Sequence, residues 1–324
     1  MRGLRRVIVQ CSLPRVVRRA YSSEAPLIKV LDVQAPNSGR IRILSLARPA
    51  ARNAISRALL HELRSNIDSI ASEYDSEGNE LPPKKTFGGA AGVDERGPTR
   101  ALVLASEVDS CFCAGADLKE RAGFTGEETA AFLSNLRNTF SSLAALPIPT
   151  ISAISSLALG GGLELALCTH MRVVASTAIV SLPETRLGIL PGAGGTYRLP
   201  ALIGLGRARD LVLTGRRVTG AEAYFLGIAD RLVEVVPEEG KEGEEDGKKE
   251  LMTRAREEVL REAVRLAGEI CEGGPVAIRS ALQAVNFARE EVENKMYERV
   301  VATEDRNEAL KAFREKRRPV FKGR

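Results

Sequence analysis

Three consecutive glycines, Gly160-Gly161-Gly162, stand between two apolar stretches and constrain the fold more than any other feature of the chain. Thr150-Ile151-Ser152-Ala153-Ile154 reads as a strand, and Leu163 to Leu167 opens a helix, so the glycines form the turn into that helix. The first N–H groups of a helix lack partners within it and point outward. Glycine lets a substrate oxygen come close to that backbone, and the helix dipole favours negative charge there. Such donors suit an enolate oxygen. Glu164 falls in the first turn of the same helix, and Leu182-Pro183-Glu184 brings a second carboxylate from another loop. Two carboxylates so placed would hold one water between them. Tight packing and dipole compensation alone also produce a glycine turn with an early Glu, so the segment specifies no reaction by itself.

The surrounding pattern is one of short strands and helices in alternation. Arg40-Ile41-Arg42-Ile43-Leu44-Ser45-Leu46 alternates as a strand, Ile55 to Ile70 has the spacing of an amphipathic helix, Ala101 to Ala105 reads as a buried strand, and Gly126 to Leu146 as a helix. This succession predicts an α/β fold. Glu73 to Pro98 turns polar and rich in Gly and Pro, which predicts a surface insertion in a core spanning 22–236. Pro237 to Glu250 reads as a charged, solvated connection, and 251–272, 275–289 and 290–314 as helices of a C-terminal region, 251–324.

Further motifs narrow the reading. Cys111-Phe112-Cys113-Ala114-Gly115-Ala116-Asp117-Leu118-Lys119-Glu120 follows the strand at 101–105, and Pro183-Glu184 and Pro191-Gly192-Ala193-Gly194-Gly195-Thr196 follow the glycine run. In order and spacing these four motifs resemble the crotonase (enoyl-CoA hydratase/isomerase) superfamily, over roughly residues 27 to 324 apart from two insertions. The resemblance implies a spiral of ββα repeats forming two roughly perpendicular sheets, followed by helices that pack between subunits of a homotrimer or a dimer of trimers. It implies an oxyanion hole from the N–H groups of Ala116 and Gly161, and a catalytic pair, Glu164 and Glu184, that activates water for addition to a 2-enoyl-CoA. Gly192 matches a loop glycine that helps position the water-binding carboxylate. Ala114, Ala116, Asp117, Leu118, Lys119 and Gly161 match a coenzyme A-binding segment, and Phe313 and Lys316 match tail positions that reach a neighbour's CoA pocket. Coenzyme A comes as part of the substrate, so no separate cofactor is expected.

Phe112 to Ala122, Leu157 to Leu167 and Ala312 to Pro319 are most similar to the mitochondrial branch that hydrates 3-methylglutaconyl-CoA to 3-hydroxy-3-methylglutaryl-CoA in leucine breakdown, a branch also described as binding AU-rich RNA. The residues that would read the distal carboxylate of such a substrate are not identifiable from spacing. Relatives commonly carry an acidic residue where this chain has Thr169-His170-Met171, and Asp-Gly where it has Ser155-Ser156; neither change removes a catalytic group. An isomerase would move a double bond without water, and retention of both glutamates argues against it. His170, without a paired nucleophile or ligand set, reads as a boundary residue before the next strand.

Charge bears on localisation and on RNA. Met1 to Tyr21 contains Arg2, Arg5, Arg6, Arg15, Arg18 and Arg19 and no acid, the pattern of an amphipathic mitochondrial presequence, with cleavage expected after Tyr21 and the matrix as destination. Removing those six arginines from 47 basic residues leaves 41 against 42 acidic ones. The remainder is nearly neutral. Arg48, Arg52, Arg57 and Arg64 are interspersed with Glu62, Asp68 and Glu73 and form no lysine-dense stripe, which argues against RNA as a primary partner. Cys11, Cys111, Cys113, Cys168 and Cys271 show neither a disulfide framework nor zinc spacing, and with only His61 and His170 available no metal site is expected. Gly-x-Ser-x-Gly and Gly-Lys-Ser/Thr motifs are absent, and no apolar run approaches the roughly 18–20 residues of a membrane span.

Overall fold

The computed structural model describes residues 25–82, 96–237 and 245–324; the expected presequence, 1–21, lies outside them. Two strands lead, β1 (Ile28–Gln34) and β2 (Arg40–Leu46), followed by α1 (Arg57–Ala71), β3 (Thr99–Ser106), β4 (Cys111–Cys113), α2 (Leu118–Arg121) and α3 (Gly126–Ala144). Next come β5 (Thr150–Ile154), β6 (Leu157–Leu159), α4 (Gly161–Ala166), β7 (Met171–Ala175) and β8 (Ile179–Ser181). Then follow α5 (Gly195–Ile203), α6 (Leu205–Thr214), β9 (Val218–Thr219), α7 (Gly220–Leu226) and β10 (Arg231–Val233). Four helices finish the chain: α8 (Glu245–Cys271), α9 (Pro275–Phe287), α10 (Glu290–Val301) and α11 (Glu304–Glu315).

Successive strands divide between two sheets. One has the order β1-β2-β3-β5-β7-β10 and the other β4-β6-β8-β9. The pairs β3/β4, β5/β6 and β7/β8 each place their first strand in the larger sheet and their second in the smaller, so the chain winds as a spiral of repeats. Pairing is parallel except at β1/β2 and β8/β9. A parallel strand covered on both faces needs no polar side. β2, β3 and β5 are accordingly buried along their whole length, and the alternation of β2 does not mark a solvent face. Its polar positions are instead neutralised: Arg42 makes two hydrogen bonds to Asp32 of β1, at 2.8 and 2.9 Å, and Arg40 pairs with Glu73.

The helices cover these sheets by the faces their spacing predicts. Ser56 caps α1 by accepting from the Leu59 N–H, and Leu59, Leu60, Leu63, Ile67 and Ile70 form its buried stripe. α8 lies across the larger sheet and buries Ala255, Val259, Ala263, Leu266 and Ala267, three small residues allowing close approach to the strands. It begins at Glu245, within the stretch expected as a connection. The helix expected over 290–314 is broken at Ala302, where the Thr303 side chain accepts from the Arg306 N–H and starts α11.

The expected insertion, 73–98, is only partly described. Of its first ten residues, Tyr74 and Gly78 are buried, Glu73 and Glu80 half-buried, and the other six exposed. Tyr74 is buried and its hydroxyl donates to the Thr99 carbonyl at 2.5 Å, Tyr74 bridges Glu80, and the Glu80 carboxylate meets the buried guanidiniums of Arg100 and Arg279. Desolvation of those cations requires such a partner. Polar composition there records an ion-paired clamp between the larger sheet and α9.

Candidate active site

Two backbone segments meet where β4 and β6 end. The residues after β4 are tied to the start of α1: the Ile55 N–H donates to the Gly115 carbonyl at 2.7 Å, and the Asp117 N–H to the Ile55 carbonyl at 3.1 Å. This holds Ala114 to Ala116 alongside the glycine turn. Gly115 has φ +92°, and a Cβ there would stand 2.7 Å from the Leu159 carbonyl oxygen; one on Gly162 would stand 2.1 Å from that of Cys113. Only glycine permits both approaches. A Cβ on Gly161 would lie 3.5 Å from the Ala116 nitrogen, so the two amides are neighbours across the gap. Among the described residues neither the Ala116 nor the Gly161 N–H has a backbone acceptor.

Glu164 and Glu184 come to the same gap. Glu164 is 3% exposed on α4, and its Oε1 accepts from the N–H groups of Ala193 and Gly195, both at 2.8 Å. Glu184 starts a short 3-10 turn after Pro183 and is 8% exposed. Its Oε1 lies so near the turn that a Cβ on Gly160 would be 2.9 Å away, and its buried Oε2 has no partner among the described residues. Burial pushes both carboxyls up. At Glu164 the amides of Gly195 and Ala193 oppose that rise. Burial raises Glu184 to about 7; its own backbone hydrogen bond opposes the rise and the charge of Glu164 adds to it. The two acids are therefore inequivalent: one is held by fixed donors, the other titrates near neutrality.

Both line a cavity of about 440 Å³ together with Ala116, Gly160 and Gly161. Leu118, Leu133, Leu136, Leu187, Ile189 and Leu190 supply an apolar wall, and Arg121 and Arg137 also face it. A larger cleft of about 970 Å³, lined in part by His170, Arg172, Leu282 and Phe287, contains neither glutamate, so size does not identify the site. His170 itself ties to β5: its ring Nδ1 accepts from the Thr150 N–H at 3.1 Å, its backbone N–H donates to Thr150 Oγ1 at 2.9 Å, and burial pushes its imidazole down to about 4. Burial likewise pushes the thiols of Cys113 and Cys168 up to about 12, which leaves them protonated. Among the described residues no group of three or more His, Cys, Asp or Glu is placed to hold a metal ion.

Of the expected binding residues, Ala114, Ala116, Leu118, Gly161 and Gly192 line the cavity. Asp117 and Lys119 do not. The Asp117 carboxylate caps α2, accepting from the N–H groups of Lys119 and Glu120, and pairs with Arg48 at 2.7 Å; the Lys119 side chain is exposed. Gly192 does not hold the carboxylate through its N–H, which is the part of its neighbours Ala193 and Gly195; its carbonyl instead accepts from Arg137 Nε at 2.7 Å. Phe313, 84% exposed on α11, and Lys316, just beyond it, lie outside the cavity of their own chain. Sequence reasoning missed Ala193, Gly195, Arg121 and Arg137. Thr129, Leu133, Leu136 and Arg137 lie at i, i+4, i+7 and i+8, one face of α3, a spacing from which the cavity wall was readable.

Residues 93–245 match the enoyl-CoA hydratase/isomerase family. Over 94% of its length the chain is 69% identical to methylglutaconyl-CoA hydratase 1, mitochondrial, of Pyricularia oryzae, covering 90% of that protein. It is 56% identical, over 92% of its length and 88% of the relative, to an enoyl-CoA isomerase/hydratase of Zymoseptoria tritici. The crystal structure of an enoyl-CoA hydratase from Bacillus anthracis superposes with a TM-score of 0.74 at 36% identity, covering 92% of this chain and all of that one. With the paired sheets, the glycine turn and the two buried glutamates in place, these likenesses establish that the chain belongs to the enoyl-CoA hydratase/isomerase family and has the crotonase fold.

Proposed function

We propose that this protein is a hydro-lyase that adds water across the double bond of a 2-enoyl-CoA, with 3-methylglutaconyl-CoA as its substrate and 3-hydroxy-3-methylglutaryl-CoA as its product in leucine degradation. The observation that carries the reaction is the pairing of two inequivalent buried carboxyls with two unpartnered amides in one cavity. The substrate is supported by the 69% identity to a protein named methylglutaconyl-CoA hydratase.

In the hydration direction the Glu164 carboxylate takes a proton from water as its oxygen bonds to C3. The C2–C3 π electrons move toward the thioester, and the N–H groups of Ala116 and Gly161 meet the charge on its oxygen. Glu184, in its protonated form, delivers its proton to C2. The pair then carries its proton on Glu164, and relay through a further water returns it to Glu184, so the pair holds one proton before and after turnover. Its pH dependence belongs to both groups together. No cofactor enters these steps, because coenzyme A arrives on the substrate.

An isomerase needs proton transfer without water and could work with one carboxyl. The Zymoseptoria tritici relative carries both activities in its name, and the second buried acid here favours hydration. RNA binding receives little support from charge: of the four arginines there, Arg57 pairs with Glu128, Arg64 with Asp68 and Arg48 with Asp117. We place the mature protein in the mitochondrial matrix on the arginine-rich 1–21 and the mitochondrial naming of the relative. We further place it in a homotrimer or dimer of trimers, in which Phe313 and Lys316 of one subunit would reach the CoA of the next. No helix among the described residues is long and apolar enough to cross a membrane. The test is water addition by the purified chain across a panel of acyl-CoAs: the branched dicarboxylic substrate should have the highest kcat/KM, and preference for crotonyl-CoA would refute the assignment.

A further inference from the structure

An acyl cavity for a plain enoyl chain would be apolar on the side away from the thioester. This one is walled by Leu133, Leu136, Ile189 and Leu190, yet Arg137 stands among them. Its Nε donates to the Gly192 carbonyl at 2.7 Å, which fixes the plane of the guanidinium and leaves Nη1 and Nη2 for other acceptors. Among the described residues no carboxylate pairs with it, whereas Arg48, Arg57 and Arg64 nearby in the fold all have acidic partners. Arg198 is engaged with the Ala193 carbonyl at 3.0 Å, and the Arg121 guanidinium lies 5.8 Å from the centre of the Phe132 ring. Arg137 is thus the cavity cation that is oriented and, among the described residues, has no ion-pair partner; it acts on Glu164 only through its charge.

Its position follows from the loop it touches. Gly192 accepts from Arg137, and the next residue, Ala193, donates to Glu164. Arg137 and Glu164 are therefore held by adjacent residues of one loop. A planar guanidinium with two free nitrogens suits a carboxylate in bidentate geometry. We propose that Arg137 is the specificity-determining residue of this site and receives the distal carboxylate of a dicarboxylic acyl-CoA, two carbons beyond C3. The inference rests on the hydratase reading for the placement of C3, and it supplies the anion recognition that the motif spacing did not disclose. Arg137 is also a positioning residue, since the carboxylate it binds and the loop it braces meet at the same side chain.

The test uses saturated ligands, so that it does not depend on turnover. Glutaryl-CoA and pentanoyl-CoA each carry five acyl carbons and differ in the terminal carboxylate. Their equilibrium binding is measured on the full-length mature protein as wild type, Arg137→Gln, Arg137→Lys and Arg121→Gln. Wild type should prefer glutaryl-CoA, and Arg137→Gln should cut that preference by roughly 10-fold, the lower end for a charge-assisted hydrogen bond because the residue is solvent-exposed in the free chain. Arg137→Lys should retain part of the preference, and rising salt should shrink it in wild type. If Arg137 only braces the loop, both ligands weaken together and the ratio is unchanged, which overturns the proposal. Loss of the preference in Arg121→Gln but not in Arg137→Gln also overturns it. Water addition to unsaturated substrates is scored separately: its absence beside an intact glutaryl preference would sink the hydratase reading and leave this site standing as a dicarboxylic acyl-CoA binder.

Discussion

Replacing Glu184 by Gln should make the protein more stable at alkaline pH while disabling it. The folded protein holds this carboxyl at about 7, against an ordinary value of 4.5, because it is buried beside Glu164 and its Oε2 has no partner among the described residues. Below about pH 4.5 the side chain is protonated in both folded and unfolded chains and costs nothing. Between about 4.5 and 7 the unfolded chain releases the proton and the folded one keeps it, so stability falls as pH rises; above about 7 the loss is complete. A displacement of this size corresponds to about 3 kcal/mol, an upper figure because Glu164 titrates with it. Gln carries no charge at any of these values. Urea unfolding of wild type and Glu184→Gln from pH 4 to 8.5 should give similar stabilities at the acid end and a variant more stable by up to about 3 kcal/mol at the alkaline end. The amide also lacks the acidic proton for C2, so turnover at neutral pH should drop by about 10²–10⁴-fold. Parallel stability curves across that range would refute the claim that Glu184 is held protonated by its surroundings.

Glu164→Gln should lose a similar about 10²–10⁴-fold in kcat while glutaryl-CoA binding stays within about threefold, because the Gln carbonyl can still accept from Ala193 and Gly195. Activity within tenfold of wild type would remove Glu164 from the chemistry. Gly162→Ala places a methyl 2.1 Å from the Cys113 carbonyl oxygen and should cost about 3 kcal/mol, the upper end for overpacking, or abolish soluble expression, with a wild-type urea midpoint as the contrary result. Edman sequencing of the protein recovered from mitochondria should begin near Ser22; an intact Met1 on matrix protein would exclude cleavage after Tyr21.

How much of this was legible beforehand depended on whether a residue acts through its own backbone or through a distant partner. Gly160 to Gly162 and Glu164 were readable because a strand, a turn and a helix start are local events, and the unpartnered amides follow from them. β1 was not read. Ile28–Gln34 mixes Lys and Asp into an edge strand with an exposed face, and Asp32 has a reason to be there only once Arg40 and Arg42 are known to be buried opposite it. Asp117 meets the same limit: nothing adjacent in sequence shows that Arg48 pairs with it. The motif at 191–196 announces a glycine-built loop, but which N–H groups face Glu164 is decided by how that loop folds, with Gly194 at φ +116°.

The same distinction explains why the two glutamates, indistinguishable as letters, acquire different chemistry. Glu164 is anchored on a helix and receives two N–H donors from a loop 29 and 31 residues downstream. Glu184 arrives on a short turn after a proline and meets glycine backbone at one oxygen and no partner at the other. Burial raises both carboxyls, and two loop N–H donors oppose that rise at Glu164 while only its own backbone opposes it at Glu184, so the fold separates the pair without changing residue type. Gly195 is where this division is built: a Cβ there would stand 3.2 Å from Glu164 Oε1 and crowd the approach of its own N–H. A side chain at position 195 would loosen the grip on Glu164, raise its affinity for a proton, and make the two acids more alike. The asymmetry across the pair, and not the mere presence of two carboxyls, is what a water-adding site of this construction requires.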